Sequence, residues 1–282
     1  MLELKDLQSC LGRTETREDV VSAAPVAALA ATLDRQEPTP VAGSELPPLW
    51  HWLYFLPLAR HSELDVDGHP KRGGFLPAVP LPRRMWAGGR LTFTQPLQVG
   101  QGITRLSRIA AIDVKHGRSG ALAFVTVSHE IRGAGGLALS EEHDIVYREA
   151  PSPDAPAAQP RPAPSAADFE REVVADPVML FRYSALTFNG HRIHYDRTYV
   201  TGVEGYPGLI VHGPLIATLL VDLLRREVPE RRLQRFEFRA LRPIFDIHRF
   251  SVCGKAEGGG RYSLWARDHE GCLAMQATAV LA

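Results

Sequence analysis

The stretch from Pro214 to Val228 constrains the fold of this chain more than any other feature. Pro214 sits where a first helical turn tolerates it, and Leu215, Ile216, Leu219, Leu220, Leu223, Leu224 and Val228 leave little polar surface until Arg225, Arg226 and Glu227. A helix that is apolar almost all round cannot lie on a surface. It must be wrapped by other elements.

The candidates for the wrapping are strands, and they come in two sets. The segment 150–167 (APSPDAPAAQPRPAPSAA) is dense in Pro, Ala and Ser and has almost no large apolar side chain, so it reads as an extended connector between halves 1–149 and 168–282. Before it, Leu91 and Phe93 alternate with polar neighbours and lead to Pro96. Strands 103–114 and 121–130 then flank HGRSG, and 138–147 closes an antiparallel meander. After the connector the order recurs: Phe236, Phe238 and Ala240 alternate and lead to Pro243. A strand at 250–256 meets the triple glycine Gly258–Gly260, and strands 262–267 and 272–281 join across DHEG. GAGG at 133–136 has no helical pattern after it and reads as a hairpin turn rather than a phosphate loop.

In the first half the segment 17–33 (REDVVSAAPVAALAATL) is helical in composition, with a kink or break expected at Pro25. One helix and one antiparallel sheet in each half predict an α+β protein of two tandem hot-dog modules, a double hot-dog related by duplication.

Charge excludes several classes of partner. Lys and Arg number 32 against 32 Asp and Glu, so no net field draws the chain to nucleic acid or to an anionic membrane. Three irregularly spaced cysteines, Cys10, Cys253 and Cys272, make neither a disulfide framework nor a zinc knuckle. With no secretory signal pattern and no apolar run of transmembrane length, the expected location is cytoplasmic.

Polar density before the apolar helix marks the site. Residues 181–220 hold His191, His194 and His212, with Asn189 and Gly213. Two further motif histidines, His51 and His69, lie in the first half. The run Asn189-Gly-His-Arg-Ile-His194, followed by His212-Gly213, resembles the hydratase motif of the MaoC-like hydratase and dehydratase superfamily. Trp50-His-Trp-Leu-Tyr-Phe55, Asp67-Gly-His69, Gly73-Gly-Phe-Leu-Pro77, Pro82-Arg-Arg-Met-Trp-Ala-Gly-Gly89 and Phe188–Asp196 narrow the likeness. They match a branch with mitochondrial-type 3-hydroxyacyl-thioester dehydratases and the mesaconyl-CoA and itaconyl-CoA hydratases.

The resemblance implies a hydro-lyase acting on an acyl-CoA or acyl-carrier thioester without metal or cofactor. His194 would be the general base, since a neutral imidazole can take a proton from water as it attacks the β-carbon. Gly213, at the helix start, would offer its backbone N–H to the thioester oxygen. Asn189 stands where the superfamily usually has aspartate, so it cannot be an acid. It is expected to orient water or fix the His194 tautomer, with the α-carbon proton left to His194, His191 or Glu204. His191, His212, Arg83, Arg84 and Arg90 are the expected substrate-binding residues, the arginines facing a CoA phosphate or a distal carboxylate.

Blander readings stand beside these. Arg83 and Arg84 fit a solvated surface pair, Asp67-Gly68 a simple turn, and Trp50–Phe55 strand packing. His191, His194 and Asp196 have the residue types of a metal triad without its helical spacing. The rival activities are a carrier-bound 3-hydroxyacyl dehydratase of fatty-acid synthesis, a hot-dog thioesterase and a noncatalytic acyl-thioester binder. A tandem chain already contains the pseudo-dimer of single hot-dog subunits, which leaves room for further pairing into a homodimer.

Overall fold

The computed structural model describes residues 7–117, 120–149 and 159–282. Its framework is one ten-stranded antiparallel sheet. The first half supplies β1 (Thr14–Val20), β2 (Arg83–Phe93), β3 (Gly102–Gly117), β4 (Gly120–Gly133) and β5 (Gly136–Arg148). The second supplies β6 (Phe169–Val173), β7 (Leu233–Ala240), β8 (Phe250–Gly258), β9 (Arg261–Arg267) and β10 (Leu273–Leu281).

The strand order is β1-β3-β4-β5-β2-β7-β10-β9-β8-β6. Read outward from the β2–β7 seam, the two halves repeat each other strand for strand, as a duplication requires. The seam itself explains two glycines. A Cβ on Gly88 would lie 2.5 Å from the Phe238 carbonyl oxygen, and one on Gly89 2.9 Å from the Phe238 ring. Only glycine lets the backbones meet there.

The apolar helix, α4 (Gly213–Glu227), lies against β8, β9, β10 and β6, and every residue from Leu215 to Leu224 is buried. Its one buried acid, Asp222, is held by Arg35 at 2.6 Å, Arg171 at 3.0 Å and Arg226 at 2.8 Å. A buried carboxylate is tolerable only with such company. Because Arg35 follows the first-half helix, the cluster also ties the halves together.

The first half departs from expectation. Residues 17–20 belong to β1, the edge strand paired with β3, and the helix α1 spans Ala23–Thr32. With Ser22 as its N-cap, Pro25 falls in the first turn, where no intrahelical N–H is required, so the helix starts around Pro25 instead of breaking there. This helix packs against α2 (Pro177–Leu186) and the 3-10 turn Trp50–Leu53. Among the described residues the first half has no counterpart of α4. The aromatic run at 50–55 is likewise a 3-10 turn followed by a bend, with Phe55 at φ +56°, not a strand.

Of the connector, 150–158 lies outside the described residues. Its last part is docked: Pro162 bridges to Cys272, and Ala163 N–H donates to the Gly271 carbonyl at 3.0 Å. The hairpin reading of 133–136 holds, with Gly133 opposite Gly136. Since α4 is the core of the second half, Leu220→Ala is expected to destabilise the protein by about 2–5 kcal/mol, measured by urea unfolding followed by circular dichroism.

Candidate active site

A cavity of about 1100 Å³ opens where the first half lacks its buried helix, and it runs to the start of α4. His194, His191, Asn189 and Gly213 all line it. The sequence between α2 and α4 folds back on itself to bring them together. His194 ends a 3-10 turn (Arg192–His194), and Asp196 caps α3 (Arg197–Gly202) by accepting from Tyr199 N–H at 2.9 Å.

The His194 ring is fixed on two sides. Its Nδ1 lies 2.7 Å from the Ile210 carbonyl oxygen. A carbonyl only accepts, so Nδ1 carries hydrogen and Nε2 is left as the basic atom. Behind it, His212 stacks at 3.7 Å between centroids and 18° between planes. His212 in turn bonds Ser184 Oγ through Nε2 at 2.8 Å. Burial lowers the His194 pKa to about 4, outweighing the Ile210 bond, so the imidazole is neutral at physiological pH.

Gly213 is the first residue of α4 and Pro214 follows it. The first N–H groups of a helix have no intrahelical acceptor, and Pro214 has no N–H at all, so the Gly213 amide is the donor presented by this helix end to the cavity. The nearest atom to a Cβ built there is the Trp86 carbonyl oxygen at 3.9 Å.

Several expected roles change. The His194 tautomer is set by Ile210, not by Asn189, whose Oδ1 instead accepts the His191 N–H at 3.0 Å and shapes the loop. His212 does not line the cavity: it sits behind His194 and leaves the substrate-binding set. Arg90 leaves it too, because its guanidinium is spent on Glu142 and Asp144, each at 2.7 Å, outside the cavity. Arg83 and Arg84 do line it. Arg83 is neutralised by Glu204 at 3.2 Å and donates to the Tyr206 hydroxyl at 2.6 Å. Asp196 pairs with Arg192, away from the two histidines once grouped with it.

Two groups were missed as parts of the site. Asp67 holds His69 by both carboxylate oxygens, at 2.8 Å to its N–H and 2.9 Å to Nδ1, and the His69 ring lies 3.9 Å from that of His191. The turn is needed as well: a Cβ on Gly68, at φ +88°, would lie 1.9 Å from the Gly190 oxygen. Burial lowers the His191 pKa to about 2, with His69 and His194 adding to it. Deeper in the first half, Ser107, His129, Glu141 and His143 line the cavity wall with Arg105. Asp67, His69 and His191, and likewise His129, Glu141 and His143, place three donor atoms within 4.8 Å. In both groups these atoms mostly bond one another or nearby side chains, which reads as hydrogen-bond networks. The signal available was the paired motif Asp67-Gly-His69 and the charge-rich β5.

A buried neutral imidazole over a cavity, with a helix-end amide beside it, on a double hot-dog framework, defines a thioester hydratase or dehydratase. The comparisons agree. Residues 49–246 match the hydroxyacyl-thioester dehydratase type 2 family, and the chain belongs to it. It is 50% identical to the mesaconyl-C(4)-CoA hydratase of Chloroflexus aurantiacus over 277 residues, 98% of each chain. A MaoC-like dehydratase structure from Phytophthora capsici has a TM-score of 0.70 at 12% identity, covering 100% of this chain and 98% of that one. A Mycobacterium tuberculosis protein described as a double hotdog fold has a TM-score of 0.58 at 14% identity, covering 96% of each chain. Among the described residues no helix is long and apolar enough to cross a membrane.

Because the base must be unprotonated, activity is lost as pH falls through the His194 pKa. The acid limb of kcat/KM against pH is therefore expected near 4, below the ordinary histidine value of about 6.5. Gly68→Ala is expected to lower kcat/KM by pushing the 65–69 turn off the Gly190 loop, measured as the rate of enoyl-thioester hydration.

Proposed function

We propose that the protein hydrates a short carboxylated or branched enoyl-CoA of the mesaconyl-CoA or itaconyl-CoA type, and catalyses the reverse dehydration. The observation that carries this reading is His194 Nε2, left basic by the Ile210 carbonyl, beside the Gly213 amide in one cavity. The identity to a mesaconyl-C(4)-CoA hydratase along nearly the whole chain supports the substrate class.

In hydration the thioester oxygen accepts the Gly213 N–H, at the positive end of α4. His194 Nε2 removes a proton from water while the water oxygen bonds the β-carbon, and the π electrons move onto the thioester oxygen as an enolate. The enolate then collapses as its α-carbon takes a proton. We assign that proton to His194, now an imidazolium, because Glu204 is engaged by Arg83 and by the Tyr199 hydroxyl at 3.4 Å. The fixed ring holds one geometry for both transfers. Asn189 positions the loop that carries His191. Arg84, beside His69 and His191, has no carboxylate ion pair among the described residues and faces the phosphates of CoA at the rim.

His194→Ala is expected to lower turnover roughly a hundredfold to ten-thousandfold while leaving the fold intact, followed as loss of enoyl-thioester absorbance. Wild-type-like rates would refute the role. Release of free thiol at the rate of absorbance loss would point instead to a thioesterase.

A further inference from the structure

The two halves treat the same surface in opposite ways. In the second, the concave face of the sheet is apolar and packs α4: Val252, Leu264, Met275 and Phe236 are all buried in one core. In the first, where no such helix lies, the corresponding face carries a polar ladder. Ser107 on β3, His129 on β4 and Glu141 on β5 stand opposite one another across the strands. His129 Nδ1 bonds Ser107 Oγ at 2.7 Å, and Glu141 Oε2 is 3.1 Å from both His51 Nε2 and Trp52 Nε1.

A face left without a helix and lined with polar groups is suited to a ligand that is itself polar at this depth. Its charge balance indicates which kind. Arg105 projects from β3 into the cavity, its guanidinium 4.9 Å from the Phe55 ring centroid. Its Nε is buried without a hydrogen-bond partner; Glu141, Glu15 and Asp19 act on the guanidinium only from beyond ion-pair distance, Arg17 opposes them, and burial outweighs their support. An unpaired cation in such a place is costly unless an anion arrives. His143 Nε2 faces Glu141 Oε1 at 3.1 Å, which turns this ring into the same ladder. It lies one ring away from the helix end, since the Trp86 ring is 4.0 Å from His143 and the Trp86 carbonyl borders Gly213.

From this geometry we infer that the polar ladder of the first half, with Arg105 as its cation and His143 as its member nearest the helix end, binds a carboxylate carried by the acyl group. The inference rests on the hydratase reading and deepens it by placing substrate selection in the half without the base. Trp52 and Trp86, 5.0 Å apart, line the cavity between the ladder and the helix end, so a carboxylate on the β-carbon and the thioester oxygen would lie in one continuous space.

The test compares two thioester pairs on wild type, Arg105→Met and Arg105→Lys. The reacting pair is mesaconyl-C4-CoA and crotonyl-CoA; the inert pair is succinyl-CoA and butyryl-CoA, followed by thermal shift. Arg105→Met is expected to lower kcat/KM for mesaconyl-C4-CoA roughly a hundredfold, mostly through KM, and to leave crotonyl-CoA hydration within about twofold. Arg105→Lys is expected to recover part of the loss, and the extra stabilisation of wild type by succinyl-CoA over butyryl-CoA is expected to vanish in Arg105→Met. Equal losses on both reacting thioesters, no loss on either, or an unchanged succinyl-CoA preference would overturn the carboxylate site. So would a wild type that hydrates crotonyl-CoA and not mesaconyl-C4-CoA, whereas a wild type inert to both would sink the hydratase reading itself.

Discussion

The sheet has two concave faces and the chain has one long apolar helix to fill them. Pairing β2 with β7 makes the strands continuous, so the halves cannot separate and pack as independent modules. Filling the second face with α4 satisfies the hydrophobic requirement there and puts the positive end of that helix at the boundary between the halves. The first face, with no such helix on it among the described residues, borders the cavity instead. The layout of the site is thus a consequence of an asymmetry in packing: His194 and the Gly213 amide lie at the filled half's edge and face the cavity that the unfilled half leaves open.

This division also accounts for where polar side chains are buried. Burying Glu141, His129 and His51 in the core of an ordinary hot-dog module would cost several hydrogen bonds or charges with nothing in return. Here they meet one another across strands in register, and Glu141 gains an indole N–H as well. Asp222 solves the same problem differently, by collecting three arginines at the far side of α4. One network is closed on itself; the other retains an unpaired cation.

How much of this was legible follows from which interactions are local. The helix at α4 and the run of strands after Leu91 and after Phe236 are legible because period and turn chemistry lie within short windows, and His194 with Gly213 through the resemblance of Asn189–His194 and His212-Gly213 to the hydratase motif. The span 17–33 misled because β1 is an edge strand with alternate exposed polar residues, TETREDV, which has no apolar face to announce it. The absence of a first-half helix was invisible for a related reason: a missing element leaves only irregular sequence at 33–82. The ladder was beyond reach altogether. Ser107, His129 and Glu141 are brought together by strand register, while in the sequence the last is one acid among Glu141, Glu142 and Asp144. The motif that brings His212 next to Gly213 does not show that its ring turns back toward Ser184.

The base itself shows what burial contributes and what it costs. Burying His194 lowers its pKa, keeping it ready to accept a proton under conditions where an exposed histidine would be partly charged. The unfolded chain has no such restraint, so below about pH 6.5 it binds protons that the folded chain refuses, and folding stability falls with pH until the folded pKa is passed. His129, with a pKa lowered to about 3 chiefly by burial, and His212, also held well below the ordinary value by burial, add to the same cost. What offsets it is packing: the stack of His212 on His194 and the carbonyl of Ile210 hold the ring in one orientation, and a ring that need not reorganise before it takes a proton is what the chemistry requires.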